Sequence, residues 1–234
     1  MVWVSFLIDM SKDKELLDFL LNHITEERAE LFEQVAAQRT KYLTVALEDL
    51  FQPHNASAVM RSCDCFGVQD LHIIENRNTF APNKEIAMGS SKWLNLHRHN
   101  TKDADNTTGC INALKAQGYK VVATTPHTDD CTLEELDISQ PIALLFGTEK
   151  SGLTENALSQ ADEYVRIPMY GFTESFNISV SAALSLFSVT ERIRKSDVNW
   201  QLSEAEQISL KIEWAKRTLK SAKELEKRFY AENS

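Results

Sequence analysis

The chain has 234 residues, 43% of them hydrophobic and 25% charged, with a formal net charge of -9. These are globular values that argue against extensive disorder, and the negative balance excludes a polycation that holds nucleic acid through its overall field. Any binding of RNA or DNA has to come from a local basic patch.

The opening MVWVSFLID has a short apolar run with no basic segment ahead of it, well short of the ~20 apolar residues that span a bilayer. We expect residues 1–9 to add little to the fold, Met10 to be a working start, and the protein to be soluble and cytoplasmic. Two helices are predicted over residues 11–39. Ser11 caps the first, which carries Leu16, Leu17, Leu20 and Leu21. Thr25 caps the second, with Leu31, Phe32 and Val35 on one face.

From Tyr42 the pattern alternates between strand and helix. YLTVALE reads as a strand, residues 56–66 as a helix, LHIIE as a buried strand and WLNLHRH as a half-buried one. TGCINALKAQG is a helix closed by Gly118, followed by the strand YKVVATT. PIALLFG is apolar throughout, as suits a strand covered on both faces. A helix near 154–161, the strand EYVRIPM and a helix near 178–195 complete the series. The expected fold is α/β, a mostly parallel sheet with helices on both faces. It is divided into a helical extension (1–40), a central α/β domain (41–196) and a C-terminal helix (197–234). That last helix starts on a capping box, Ser203 with Glu206. It carries an apolar stripe through Ile208, Ile212, Ala215, Leu219 and Ala222, and beside it a basic stripe through Lys216, Lys220, Lys223 and Lys227. The basic stripe is read either as a solvated face or as an edge that contacts phosphates.

The cysteines, Cys63, Cys65, Cys110 and Cys131, form no C-x-x-C pair. Their spacing predicts reduced thiols and no zinc or other metal site. The dinucleotide fingerprint and the H-E-x-x-H and G-x-S-x-G motifs are missing, and Leu144 and Glu149 stand where a P-loop requires glycine. Three stretches at predicted strand ends remain: PHNASAVMR (53–61), LLFGTEKSGL (144–153) and IPMYGFTESFNISVSAA (167–183). Strand ends of an open α/β sheet are where ligands bind.

In this order the three stretches resemble the signature motifs of the SpoU (TrmH) family of RNA ribose 2'-O-methyltransferases in the SPOUT superfamily. The match runs from Asn55 to Arg61, through FGTEKSGL, to IPMYGFTESFNISVSAA, within roughly residues 42–195. The short helical flanks resemble the subgroup that methylates a guanosine ribose in the tRNA D-loop. The resemblance implies a C-terminal trefoil knot, a homodimer, S-adenosylmethionine as methyl donor and RNA, most closely tRNA, as partner. It implies catalytic roles for Arg61, Asn55, Glu149, Ser175 and Asn177. It implies a donor pocket at Thr124, Gly147, Ile167, Met169 and Phe176, the last being leucine in most relatives. The apolar stripes of the terminal helices are the expected dimer surface.

Each residue has an ordinary reading when taken singly: a surface arginine, an asparagine helix cap, a glutamate favoured by a helix start. Order and spacing set the group apart. An arginine, with pKa about 12.5 or above, is a poor general base, so Arg61 is read first as a fork on a phosphate that also steadies developing alkoxide charge. A ribosomal-RNA methyltransferase and a catalytically idle RNA-binding module of the same fold are the alternatives.

Overall fold

The structure, a computed structural model, describes residues 10–80, 83–126, 131–149 and 151–233. The expectation for residues 1–9 lies outside them. Among the described residues, Thr40–Trp200 form one unit, and the two ends, 10–39 and 201–233, together form the other.

In the larger unit seven strands run in the order β3-β2-β1-β6-β4-β7-β5. They are β1 (Leu43–Glu48), β2 (Asp70–Ile74), β3 (Asn95–His99), β4 (Lys120–Thr124), β5 (Cys131–Thr132), β6 (Ile142–Phe146) and β7 (Glu163–Arg166). All of their pairings are parallel. Helices α3 (Pro53–Cys65), α4 (Lys84–Ala87), α5 (Asn106–Ala116), α6 (Glu155–Gln160) and α7 (Ile178–Lys195) connect or follow them.

Period-two alternation decides which helix layer each strand residue meets. Val45, Leu47, Leu144 and Phe146 share a cluster with Val59, Met60, Ala182 and Leu186 of α3 and α7. Ala46, Ala143 and Leu145 share another with Ile111, Leu114 and Ala157 of α5 and α6. Both faces are therefore covered, which is why these strands read as continuous apolar runs. Burial of each large side chain contributes roughly 1.5–3 kcal/mol.

The parallel α/β expectation holds, with local corrections. α3 begins at Pro53, whose missing N–H costs nothing at the first helical position, so Asn55 sits inside the first turn and is not a cap. The two-residue strand β5 was not expected; so short a segment carries no alternation to read.

The terminal unit holds α1 (Met10–Leu21), α2 (Glu26–Ala36), α8 (Glu204–Thr218) and α9 (Ala222–Glu232). Ser11 is the second residue of α1 and does not cap it. Thr25 holds the cap position of α2 with extended backbone, but its side chain makes no capping bond. Leu31 faces solvent, while Phe32 is buried edge-on against Trp214. The Ser203–Glu206 capping box forms as expected.

The expected single C-terminal helix is two helices. The backbone is extended at Leu219, and no proline or glycine marks the break, so the sequence pattern runs straight through it. The basic stripe is divided as a result. Lys216 on α8 pairs with Glu226 at 2.7 Å, Lys220 lies between the helices, and exposed Lys223 and Lys227 lie on α9. Ile208, Ile212, Ala215 and Ala222 are buried within the terminal unit, so this stripe is no dimer surface. Among the described residues no helix is long and apolar enough to cross a membrane.

Candidate active site

The C-terminal ends of β4, β6 and β7, neighbours in the sheet, open into the loops that build the site. After β6 the chain turns back on itself, with the N–H groups of Thr148 and Gly152 each donating to the other's carbonyl at 2.9 and 3.0 Å. Gly147 is required at that turn. A Cβ there would lie 2.1–2.2 Å from backbone atoms of Gly152 and Leu153. The returning strand-like arm leads to Thr154, which caps α6 by accepting from Ala157 N.

Glu48, at the end of β1, anchors this arm. Its carboxylate accepts from Thr154 N at 2.9 Å, Thr154 Oγ1 at 2.8 Å and Thr107 Oγ1 at 2.6 Å. The sequence reading missed Glu48. Its only signal is a carboxylate closing an apolar strand, and it is buried with the rest of that strand.

A cleft of about 340 Å³ lies between the three loops. Thr124, Gly147, Ile167, Met169 and Phe176 all line it, together with Glu149 and Ser175. Phe146, Leu133, Leu153 and Val165 add an apolar floor beyond the expected donor-pocket residues, and Glu174 adds a second carboxylate. Thr124 is oriented by donating from Oγ1 to Leu145 O at 2.7 Å.

Beside the cleft a chain of side-chain bonds ties the three motif stretches together. Buried Asn55 donates from Nδ2 to Glu149 Oε1. Its Oδ1 accepts from Asn177 Nδ2 at 3.3 Å. Asn177 also caps α7, its Oδ1 accepting from Ser179 N at 2.9 Å. An ordinary helix-start role and a site role coexist in that one residue. Arg61 stands apart. It is exposed on α3, does not line the cleft, and its side chain makes no hydrogen bond or ion pair among the described residues.

The same stretches decide the relationship. Residues 42–187 match the model of the SpoU rRNA Methylase family. The chain belongs to the SpoU methylase family. Among its members, a Borreliella burgdorferi protein named tRNA (guanosine(18)-2'-O)-methyltransferase is 41% identical over 202 residues, covering 86% of this chain and 90% of that one. The crystal structure of the Aquifex aeolicus TrmH/SpoU tRNA modifying enzyme matches with a TM-score of 0.73 at 29% identity, over 83% of this chain and 98% of the other. That of an AdoMet-bound rRNA methyltransferase from Sinorhizobium meliloti matches with a TM-score of 0.56 at 26% identity, over 67% of this chain and 58% of the other. The SpoU-matched segment contains every cleft residue named above.

Proposed function

We propose that this SpoU family member transfers a methyl group from S-adenosylmethionine to a ribose 2'-hydroxyl of tRNA, at a guanosine of the D-loop. The observation that carries the reading is one cleft lined by the second and third motif stretches and tied to the first through Asn177, Asn55 and Glu149. The names of the tRNA-modifying relatives support the substrate class.

The cleft fits the donor. Its volume lies within the ~300–1,000 Å³ usual for small-ligand sites. Phe146, Leu133 and Ile167 offer apolar walls to a planar base, and Glu149 and Glu174 offer negative charge to a cationic donor. When bound, S-adenosylmethionine supplies an electrophilic methyl on a sulfonium. Thr124, Gly147, Ile167, Met169 and Phe176 hold it, while Ser175 and the Asn55–Glu149 pair orient the incoming ribose. Arg61 clamps the neighbouring phosphate through its fork of donors and stabilises charge that develops on the 2'-oxygen. Tyr170 and Phe172, 97% and 108% exposed on the loop after β7, offer faces on which unpaired bases stack.

The working form in this proposal is a cytoplasmic homodimer with a knotted C-terminal part of the catalytic segment, 41–196. Support for the dimer comes from α7, where Val180, Leu184 and Phe187 form an exposed apolar stripe at helical spacing. α7 packs on α3, so a copy docked there stands close to the helix that bears Arg61. Lys220, Lys223 and Lys227 are proposed phosphate contacts, and Lys216 a weaker one because of its pairing with Glu226.

The test is transfer of labelled methyl from S-adenosylmethionine to purified tRNA and ribosomal RNA, with the product nucleosides identified by mass. The expected result is 2'-O-methylguanosine in tRNA, abolished in Arg61→Ala while S-adenosylhomocysteine binding persists. Label in ribosomal RNA alone would overturn the substrate; no label in either would overturn the reaction.

A further inference from the structure

A second constellation of chemistry lies away from the cleft, on the far side of β1. β2 and β3 pair with His72 opposite His97 and Ile74 opposite His99. Residues 72, 97 and 99 therefore share one face of the sheet. α5 covers the neighbouring part of that face and brings in Cys110. His72 Nδ1 and His99 Nε2 are 3.1 Å apart, and one nitrogen of each ring and Cys110 Sγ all lie within 4.8 Å of one another. His72 is 5% exposed and Cys110 not at all, while His99 is half-buried and leaves a way in. The ring of His97 stacks on His72 at 4.6 Å and limits its tilt.

The ordinary account is a pair of neutral imidazoles sharing one N–H, beside a thiol that packs as a small apolar group. That account leaves the convergence of three soft or borderline donors unexplained. Two imidazole nitrogens on one tetrahedral zinc lie about 3.3 Å apart for bonds of 2.0–2.1 Å, close to the spacing present here. Bringing the sulfur to its own bond length asks for movement of about 1.3 Å at most.

We propose that His72 Nδ1, His99 Nε2 and Cys110 Sγ bind a zinc-class divalent cation, with a fourth position open toward His99. Cys110 enters as a fully buried thiol, still carrying its proton and close enough to feel the Glu48 carboxylate. The metal must displace that proton to solvent as the sulfur–metal bond forms, while the hydrogen shared by the rings moves to an outer nitrogen. The same Glu48 charge attracts the cation. A divalent ion, one thiolate and one carboxylate are electrically balanced, which a buried site requires.

The test uses the full-length, untagged, chelator-stripped protein and cobalt(II), whose tetrahedral thiolate complexes absorb in the near ultraviolet. The expected result is a single saturating step in that absorption, reversed by added zinc. The band is absent in Cys110→Ser, and zinc affinity falls at least ~10-fold in His99→Ala. His99 is half-exposed, so that variant keeps the question answerable if the cysteine variant folds poorly. No thiolate band in the parent protein overturns the proposal. So does a band that survives in Cys110→Ser, which would assign it to Cys63, Cys65 or Cys131.

Discussion

Asn55 donates from Nδ2 to the carboxylate of Glu149, joining the first turn of α3 to the loop after β6 across 94 positions of sequence. Through Asn177 the same amide reaches the start of α7. An amide suits the position, because it can donate to a carboxylate and accept from another amide simultaneously.

Asn55→Ala removes both bonds and leaves the cleft walls in place. We expect kcat/KM for tRNA to fall on the order of 10²-fold, with S-adenosylhomocysteine binding little changed. Steady-state methyl transfer alongside a calorimetric titration separates the two, and wild-type turnover would remove Asn55 from the site.

Gly147→Ala places a methyl against the backbone of Gly152 and Leu153. The turn has to open, at a cost of about 1–3 kcal/mol, and the cleft wall moves with it. The expected readouts are a lowered Tm and loss of the thermal shift that S-adenosylhomocysteine gives the parent. A full ligand shift in the variant would show that the donor sits elsewhere.

Glu48→Gln turns an acceptor that serves Thr107 and Thr154 into one with an amide end facing donors. One buried group loses its partner, which costs about 1–3 kcal/mol. Urea unfolding measures it directly. The loop after β6 should also become more open to protease, since Glu48 ties down the residue that caps α6.

Phe187→Glu, alone or with Leu184→Glu, tests the association surface. The two side chains are 56% and 40% exposed, so a charge there barely disturbs the chain itself. Light scattering after size exclusion should show the parent as a dimer and the variant as a monomer with reduced transfer activity. A dimeric variant would move the interface away from α7.

Lys223→Glu with Lys227→Glu should weaken tRNA binding and flatten its salt dependence by about 1 per lysine. Lys216→Glu should instead act on stability, because Lys216 already pairs with Glu226. Unaltered tRNA affinity in the double variant would return α9 to a solvated face.

Much of this protein can be read from its residues in order. Local periodicity marks β1, β6 and α7, because burial on both faces makes strands uniformly apolar and burial on one side gives helices a stripe. The family resemblance pointed to Thr124, Gly147, Ile167, Met169 and Phe176, and all five line one cleft because the loops that carry them leave neighbouring strand ends. Three features needed the folded chain. The break at Leu219 has no proline or glycine to announce it, because α8 and α9 both pack on α1 and that packing sets the bend. The role of Glu48 depends on threonines 59 and 106 positions away. The grouping of His72, His99 and Cys110 comes from two parallel strands and a helix. Sequence spacing records neighbours along the chain; strand register and helix packing, which act between distant segments, decided the rest.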